Sequence, residues 1–351
     1  MITGYPNQRR RNCETGVLAN MLEWYGITLS EEMLFGIGSG LYFMYSPILS
    51  VDGTCYPLMR LQPVEMVKRV AERLKLDIRV KSFGENKRRA SAVLDRIVSR
   101  DIPVGVVLNV KGLSYFNVSG MESDFNGHIV TIIGMDDKDY IIAETDSRLA
   151  SDEYFRVGKD IINDIRFSPG IGAPHGKIFW MESSGDRNPI ATRLKEAVAL
   201  GLGESCNKFL RTILPHYGVK GLHYFANDLR TWENRFNSRE ISYKLMWYYR
   251  LIERAGTGGS GYRYIYRDFL KEASQLFESE VLDDCANMMN LSAEHWRLFN
   301  VEGRRFIKSK DAEVLRGLAD IIDQIGEYEY ETFSKIQKGI AAFAMARGVL
   351  P

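Results

Sequence analysis

The stretch RRRNCETGVLANMLEWYG, residues 9 to 26, joins three arginines and a cysteine to the start of a helical pattern. From Val17 onward apolar residues recur three and four positions apart, and Gly26 can end the helix. Cys13 therefore stands where a helix is predicted to begin, and the unpaired N–H groups of a helix start stabilise a thiolate. The stretch favours an activated nucleophile, although most lone cysteines are small buried residues.

The composition is that of an ordinary globular protein. The 351 residues are 45% hydrophobic and 26% charged, enough for two domains. The 46 basic and 45 acidic residues give a net charge of +1, which offers no electrostatic footprint for nucleic acid. No apolar run has the length of a membrane-spanning helix, and MITGYPNQRRR does not resemble a secretory signal. We expect a cytoplasmic protein without a nucleic-acid or membrane partner.

The four cysteines are spread along the chain without a CxxC pair, at Cys13, Cys55, Cys206 and Cys285. This spacing is not that of a zinc site, and disulfides are not expected in a reducing compartment. We therefore expect no metal and no cofactor.

The two halves of the sequence differ in pattern. The first half alternates helical stretches with apolar strand-like runs such as IPVGVVLNV, HIVTIIGM and DYIIAET, and the last two runs form a predicted hairpin. From Ile190 onward the pattern is helical almost throughout, after a polar joint at residues 183–189. The sequence predicts an α+β protein: residues 1–185 form a domain with an antiparallel sheet, and residues 186–351 form an all-α domain.

His128 and Asp146 are the predicted partners of Cys13. His128 begins a strand after Gly127, and antiparallel pairing around the turn at 136–138 makes paired residue numbers sum to about 275. Asp146 then lies opposite His128 or its neighbour, within reach of the imidazole. The three residues fit a nucleophile, a base and an orienting acid. The alternatives are a structural histidine and an aspartate in a turn.

Several motifs resemble the butirosin biosynthesis protein H (BtrH-like) family. They are NCETGVLANMLEWYGITLSEEMLFGIGSGLYFMY, GHIVTIIGMDD and AETDSR in the first half, with GVKGLHYFANDLRTW and GTGGSGYRYIYRDFLKEASQLF in the second. The resemblance implies a papain-like N-terminal domain with a Cys-His-Asp triad and a helical C-terminal domain. It also implies acyl transfer from a carrier-protein thioester to an aminoglycoside amine in secondary metabolite biosynthesis. Asn12 stands where many members have histidine.

The resemblance also suggests further site residues. An oxyanion hole would use the Cys13 backbone N–H and a side-chain donor, which papain-like enzymes take from a glutamine before the cysteine. Gln8 is the preferred donor, and an exposed loop position is its alternative. Arg11, with its two neighbouring arginines, is expected to bind a pantetheine phosphate or to stabilise the thiolate, unless the three form a solvated patch.

A glycine-rich segment in the second half, GTGGSG at residues 256–261, fits G-x-G-x-x-G. A dinucleotide site needs a preceding strand, whereas this segment lies between helical stretches. We interpret it as a loop, and the resemblance makes Gly258 and Arg263 candidates for substrate contact at the rim of the Cys13 cleft. The helical half is expected to cover that cleft and exclude water.

Three functions remain open from the sequence. The first is a cysteine-dependent acyltransferase that works through an acyl-Cys13 intermediate, with an acyl carrier protein and a small-molecule amine acceptor as partners. The second is a cysteine peptidase or amidase with water as acceptor. The third is a catalytically inert binding module on the same fold. A homodimer is also left open.

Overall fold

The computed structural model describes residues 2–47, 50–51, 54–116, 125–146, 149, 154–170, 172–183 and 188–346. The chain divides into two compact units. The first unit comprises Met1–Leu34 and Gln62–Ala197, and the second comprises Phe35–Leu61 and Val198–Pro351. This division differs from the predicted boundary after residue 185, because an early segment belongs to the helical unit. Within that unit the Tyr45 hydroxyl donates to Asp228, 2.6 Å away. Residues 184–187 of the predicted joint lie outside the described residues.

A six-stranded antiparallel sheet forms the centre of the first unit, and its strand order is β5-β10-β6-β7-β8-β9. Its strands are β5 Ile78–Lys81, β6 Val104–Asn109, β7 Asn126–Met135, β8 Asp139–Ala143, β9 Phe155–Gly158 and β10 Ile178–Met181. The helices that begin in this unit are α1 Cys13–Trp24, α2 Glu31–Ile37, α3 Glu65–Leu74, α4 Lys87–Val98, α5 Lys159–Ile165 and, at its end, α6 Asn188–Leu210. The predicted α+β class is confirmed.

The central strands β6 and β7 are apolar runs whose residues are almost all buried. Leu94 and Ile97 of α4 and Ile162 of α5 pack in one hydrophobic cluster with Val106 of β6 and Val130 of β7. The helix α1 also packs against β7. Its residues from Glu14 to Leu22 are all buried, so the helix is enclosed in the unit and its start is held firmly.

The second unit is predominantly helical. Its helices after α6 are α7 Gly218–Arg235, α8 Ser238–Tyr249, α9 Arg263–Phe277, α10 Glu280–Ser309 and α11 Ala312–Ala346. A π-helical turn, Arg250–Arg254, follows α8. Four short strands form two antiparallel pairs: β1 Leu41–Met44 with β4 Leu58–Arg60, and β2 Ser50–Val51 with β3 Thr54–Cys55.

Within the described part of the chain, none of the helices combines the length and the apolar character needed to cross a membrane.

Candidate active site

Cys13 is the first residue of α1, as the sequence predicts, and its side chain is partly exposed. The preceding residue, Asn12, is the N-cap, and its side-chain oxygen accepts hydrogen bonds from the N–H groups of Glu14 and Thr15 at 3.0 and 3.1 Å. This is the usual way in which an asparagine satisfies donors at a helix start. The cap places the thiol at the positive end of the α1 dipole.

His128 lies in β7 between Cys13 and a buried carboxylate. Its Nε2 lies 2.9 Å from Glu144 Oε2, and its ring also hydrogen-bonds to the Cys13 side chain. Because Glu144 occupies Nε2, Nδ1 is the ring nitrogen left for the thiol. The ring is 4% exposed and meets Phe116 edge to face, with 5.1 Å between the ring centroids. Burial and these two contacts fix the imidazole between the thiol and the carboxylate.

The carboxylate at His128 is Glu144, which corrects the assignment of Asp146 as the orienting acid. The Glu144 carboxylate is fully buried and accepts from the Tyr115 hydroxyl at 3.2 Å as well as from His128. Its other oxygen accepts from the N–H groups of Thr145 and Asp146, each at 2.9 Å. Asp146 instead forms an isolated backbone bridge with Arg10. Hydrogen bonds of this number satisfy a buried carboxylate.

The pKa of His128 reflects opposing effects. Burial of the ring lowers the pKa, but the charge of Glu144 and the hydrogen bonds to Cys13 and Glu144 raise it. The net result is a pKa raised from 6.5 to about 10. At neutral pH the ring is therefore an imidazolium, and a positive charge beside a cysteine stabilises the thiolate form.

The other three cysteines lack this environment. Burial raises the pKa of both Cys206 and Cys285 to about 12. Burial also raises the pKa of Cys55, which is partly exposed. Since thiols with raised pKa values are poor nucleophiles, Cys13 is the cysteine with the surroundings of a reactive thiol.

Gln8 does not supply the predicted oxyanion donor. Its exposed side-chain amide donates to both carboxylate oxygens of Glu23, at 2.8 and 2.9 Å. Glu23 lies ten residues beyond Cys13 in α1, which corresponds to about 15 Å along a helix. The amide is therefore directed to the far end of α1, because the glutamate there is a charged acceptor.

The backbone N–H of Cys13 remains available for that role. The N–H groups of Arg11 and Asn12 donate to Glu31, and those of Glu14 and Thr15 donate to Asn12. Among the described residues, no acceptor faces the Cys13 N–H.

Comparison with known proteins supports a relationship over most of the chain. Residues 12–145 match a family model described as butirosin biosynthesis protein H, N-terminal, and residues 161–336 match a domain of unknown function, DUF4872. The chain carries an N-terminal domain of the butirosin biosynthesis protein H family. A comparison with curated proteins gave no match. The family is named for a biosynthetic protein, and the N-terminal match in this member includes Cys13, His128 and Glu144.

Two further residues that the resemblance to this family suggested are engaged elsewhere in the structure. The Arg11 guanidinium, proposed for substrate binding, forms an ion pair with Glu32. Arg263 is fully buried, and its guanidinium makes two hydrogen bonds to Glu329, at 2.8 and 3.0 Å. The assignment of Arg263 to substrate contact is therefore wrong, because a side chain enclosed in an ion pair is not available to a ligand.

Gly258 lies in the loop that precedes Arg263, with a backbone φ of 65°. Two hydrogen bonds hold the loop in place. The Thr257 hydroxyl donates to the Ile252 carbonyl at 2.7 Å, and the Ser260 hydroxyl donates to the Ala293 carbonyl at the same distance. A contact of Gly258 with substrate stays a prediction, as does the covering of the cleft by the helical half. Among the described residues, no cluster of histidine, cysteine and acidic side chains could hold a metal ion.

Proposed function

We propose that the protein is a cysteine-dependent acyltransferase that moves an acyl group from a thioester to an amine through an acyl-Cys13 intermediate. The observation that carries the proposal is the position of His128, which hydrogen-bonds to Cys13 on one side and to Glu144 on the other. A nucleophile, a base and an orienting acid in contact are what acyl transfer requires. A cysteine at a helix start facing a histidine on an antiparallel sheet also supports a papain-like arrangement of the first unit.

The first half of the reaction forms the acyl-enzyme. The Cys13 thiolate attacks the carbonyl carbon of the thioester, and the carbonyl oxygen becomes an oxyanion that the Cys13 N–H can stabilise. The C–S bond to the donor then breaks. The leaving thiolate takes the proton of the His128 imidazolium, so the released donor is a neutral thiol and His128 is left neutral.

The second half transfers the acyl group to an amine. The amine nitrogen attacks the carbonyl of acyl-Cys13, and His128 accepts the proton that the nitrogen loses. The bond between the carbonyl carbon and Cys13 breaks, which releases an amide and restores the thiolate–imidazolium pair. Glu144 holds the ring in one orientation through both halves and stabilises its positive charge.

The family of the N-terminal domain favours transfer over hydrolysis. Its name denotes a biosynthetic protein, and biosynthesis forms bonds such as amides rather than breaking them. The proposed donor is an acyl thioester on a carrier protein and the proposed acceptor is a small-molecule amine. Water as acceptor would make the same residues a hydrolase.

The proposal is tested by incubating the purified protein with an acyl-N-acetylcysteamine thioester and measuring its intact mass. We expect one added acyl group in the wild type and none in Cys13→Ala. Cys55→Ala is the matched control, because Cys55 is the other partly exposed thiol, and it should acylate normally. Added amines should then yield amide in place of free acid. Acylation at another cysteine would refute the nucleophile, and free acid alone with every amine offered would favour the hydrolase.

A further inference from the structure

At the start of α1, all but one of the backbone N–H groups donate hydrogen bonds within the described part of the protein. From Arg11 to Gly16, each backbone N–H except that of Cys13 has an acceptor in the described residues: Glu31 for the first two, and the side chain or carbonyl of Asn12 for the rest. Helix starts leave donors unsatisfied, but here the open donor is that of the proposed nucleophile.

The carboxylate that takes the first two N–H groups is almost fully buried. Glu31, the first residue of α2, is 3% exposed. One of its oxygens accepts from Arg11 N at 2.9 Å, and the other accepts from Asn12 N and lies 3.2 Å from the Thr15 hydroxyl. Burying a carboxylate costs free energy unless its hydrogen bonds compensate. All these contacts concentrate on the three residues around Cys13.

These bonds fix the direction of the Cys13 N–H. The Asn12 carbonyl accepts from Gly16 N at 2.9 Å, so it points along α1. In a trans peptide the C=O and the N–H of one unit point in opposite directions, so the Cys13 N–H points out of the helix start. Since Glu31 holds the Asn12 N–H and Asn12 caps the helix, the peptide unit between Asn12 and Cys13 cannot tilt without breaking a hydrogen bond.

We infer that Glu31 is a positioning residue that holds the Cys13 N–H in place as an oxyanion donor. The inference rests on the proposed acyl transfer at Cys13. Glu31 touches neither the thiol nor the imidazole in the recorded hydrogen bonds, so its effect passes through the backbone. A preorganised donor stabilises the oxyanion without a cost of reorientation during the reaction. Glu31 should therefore matter for attack on a carbonyl and not for the reactivity of the thiolate itself.

The test compares two reactions of Cys13 in the full chain. Acylation by an N-acetylcysteamine thioester forms an oxyanion, whereas alkylation by iodoacetamide displaces iodide and forms none. In Glu31→Gln the side-chain amide keeps one acceptor oxygen but turns an N–H₂ group toward the second backbone donor. We expect acylation to slow about tenfold or more, below the 10²- to 10³-fold loss of a deleted oxyanion donor, and alkylation to stay within about twofold.

Glu32→Gln is the matched control, because Glu32 is the adjacent residue of α2 and pairs with the Arg11 side chain instead of the backbone. It should leave both rates unchanged. If the acylation and alkylation rates fall equally in Glu31→Gln, Glu31 has only a structural role at the helix start. If neither rate falls, Glu31 does not position the Cys13 N–H. If that variant does not fold, Thr15→Val removes the hydroxyl beside Glu31 and should lower the same ratio to a smaller extent; an unchanged ratio there would overturn the inference.

Failure of the proposed function has a different signature. If the wild type resists the thioester but reacts at Cys13 with p-nitrophenyl acetate, the carrier-thioester substrate is wrong, and the ratio of ester acylation to alkylation then tests Glu31. If neither acyl donor reacts while iodoacetamide does, both the proposed function and the role of Glu31 are refuted.

Discussion

At the scale of single residues, the carboxylate of Glu144 stabilises the protonated imidazole of His128. Its carboxylate receives hydrogen bonds from the imidazole, from the Tyr115 phenol and from two backbone N–H groups. Burial raises the pKa of Tyr115 well above its ordinary value, and the Glu144 charge adds to this rise, so the phenol stays neutral and donates. The charge of Glu144 raises the pKa of His128 and so favours the imidazolium.

Replacement of Glu144 should slow the reaction far more than replacement of Asp146. Glu144→Gln keeps the size of the side chain but removes the negative charge that orients and stabilises the imidazolium, so we expect acylation of Cys13 to slow by roughly 10- to 10⁴-fold, by analogy with orienting acids in other triads. Asp146→Asn retains the backbone N–H that donates to Glu144. It should change the rate by no more than about threefold if Asp146 has no role as orienter. The initial rate of acylation at pH 7, measured by mass spectrometry, decides between them, and a larger loss in Asp146→Asn would restore Asp146 as the acid.

The raised pKa of His128 predicts an imidazolium well above neutral pH. Its folded value of about 10 exceeds the 6.5 of an ordinary histidine. The charged ring therefore stabilises the fold fully below pH 6.5, and this contribution is lost as the pH rises from 6.5 to about 10. The ¹⁵N NMR signals of His128, assigned by comparison with His128→Gln, should show a titration midpoint far above those of exposed histidines. In Glu144→Gln the midpoint should fall, since the carboxylate charge is gone; a wild-type midpoint near 6.5 would contradict the ion pair.

At the scale of secondary-structure elements, the sequence predicts the pairing register of the β7–β8 hairpin but not the path of the chain after it. The predicted sum of paired residue numbers, about 275, agrees with the observed pairs Thr131–Ala143 and Gly134–Ile141. The turn and the alternation of apolar residues determine this register. The β8 strand ends at Ala143, however, and the chain beyond it pairs with Arg10 instead of β7. Side-chain partners beyond the last paired residue depend on that departure, which no local pattern reveals.

The same end of β8 explains why Glu144 was missed. Residues two apart in a strand share a face, so in a continued strand Glu144 and Asp146 would both alternate onto the face of Ile142, which pairs with Ile132. His128 shares the face of Ile132, and Glu144 is then its diagonal neighbour. A glutamate side chain is long enough for this diagonal, and a glutamate that precedes two N–H donors can be held there. The diagonal position, as well as the opposite one, is therefore within reach of His128.

Helices were predicted more fully than short strands. The nucleophile helix and the helical second half follow apolar periodicity, and the sequence predicts both. The four strands between Leu41 and Arg60 were not predicted. Strands of two to four residues carry too few alternations for a period to be seen, and their pairing depends on tertiary contacts.

At the scale of the whole molecule, the helical unit depends on charges that it buries. Arg263 of α9 and Glu329 of α11 are both fully buried, and the Ser292 hydroxyl of α10 donates to Glu329 at 2.8 Å. The Arg263 guanidinium also lies over the Trp296 ring, 5.3 Å from its centroid, and donates to the Gly261 carbonyl. The pair therefore connects three helices and the end of the glycine-rich loop. The resemblance to the butirosin biosynthesis protein H family suggested a ligand contact for Arg263, and only the packing of distant helices shows that the side chain is enclosed.

Arg263→Ala should therefore destabilise the protein instead of changing its choice of acceptor. Removing one member of a buried ion pair leaves the other charge without compensation, which typically costs about 3–5 kcal/mol. We expect the urea midpoint of the helical circular dichroism signal to fall markedly in Arg263→Ala, whereas Arg305→Ala, at an ion pair whose arginine side chain is 65% exposed, should hardly move it. Because the cost in Arg263→Ala comes from the unpaired Glu329 charge, the double variant Arg263→Met with Glu329→Met should recover part of the loss. If the urea midpoint of Arg263→Ala is unchanged and the ratio of amide to free acid changes, Arg263 contacts the substrate instead of stabilising the fold.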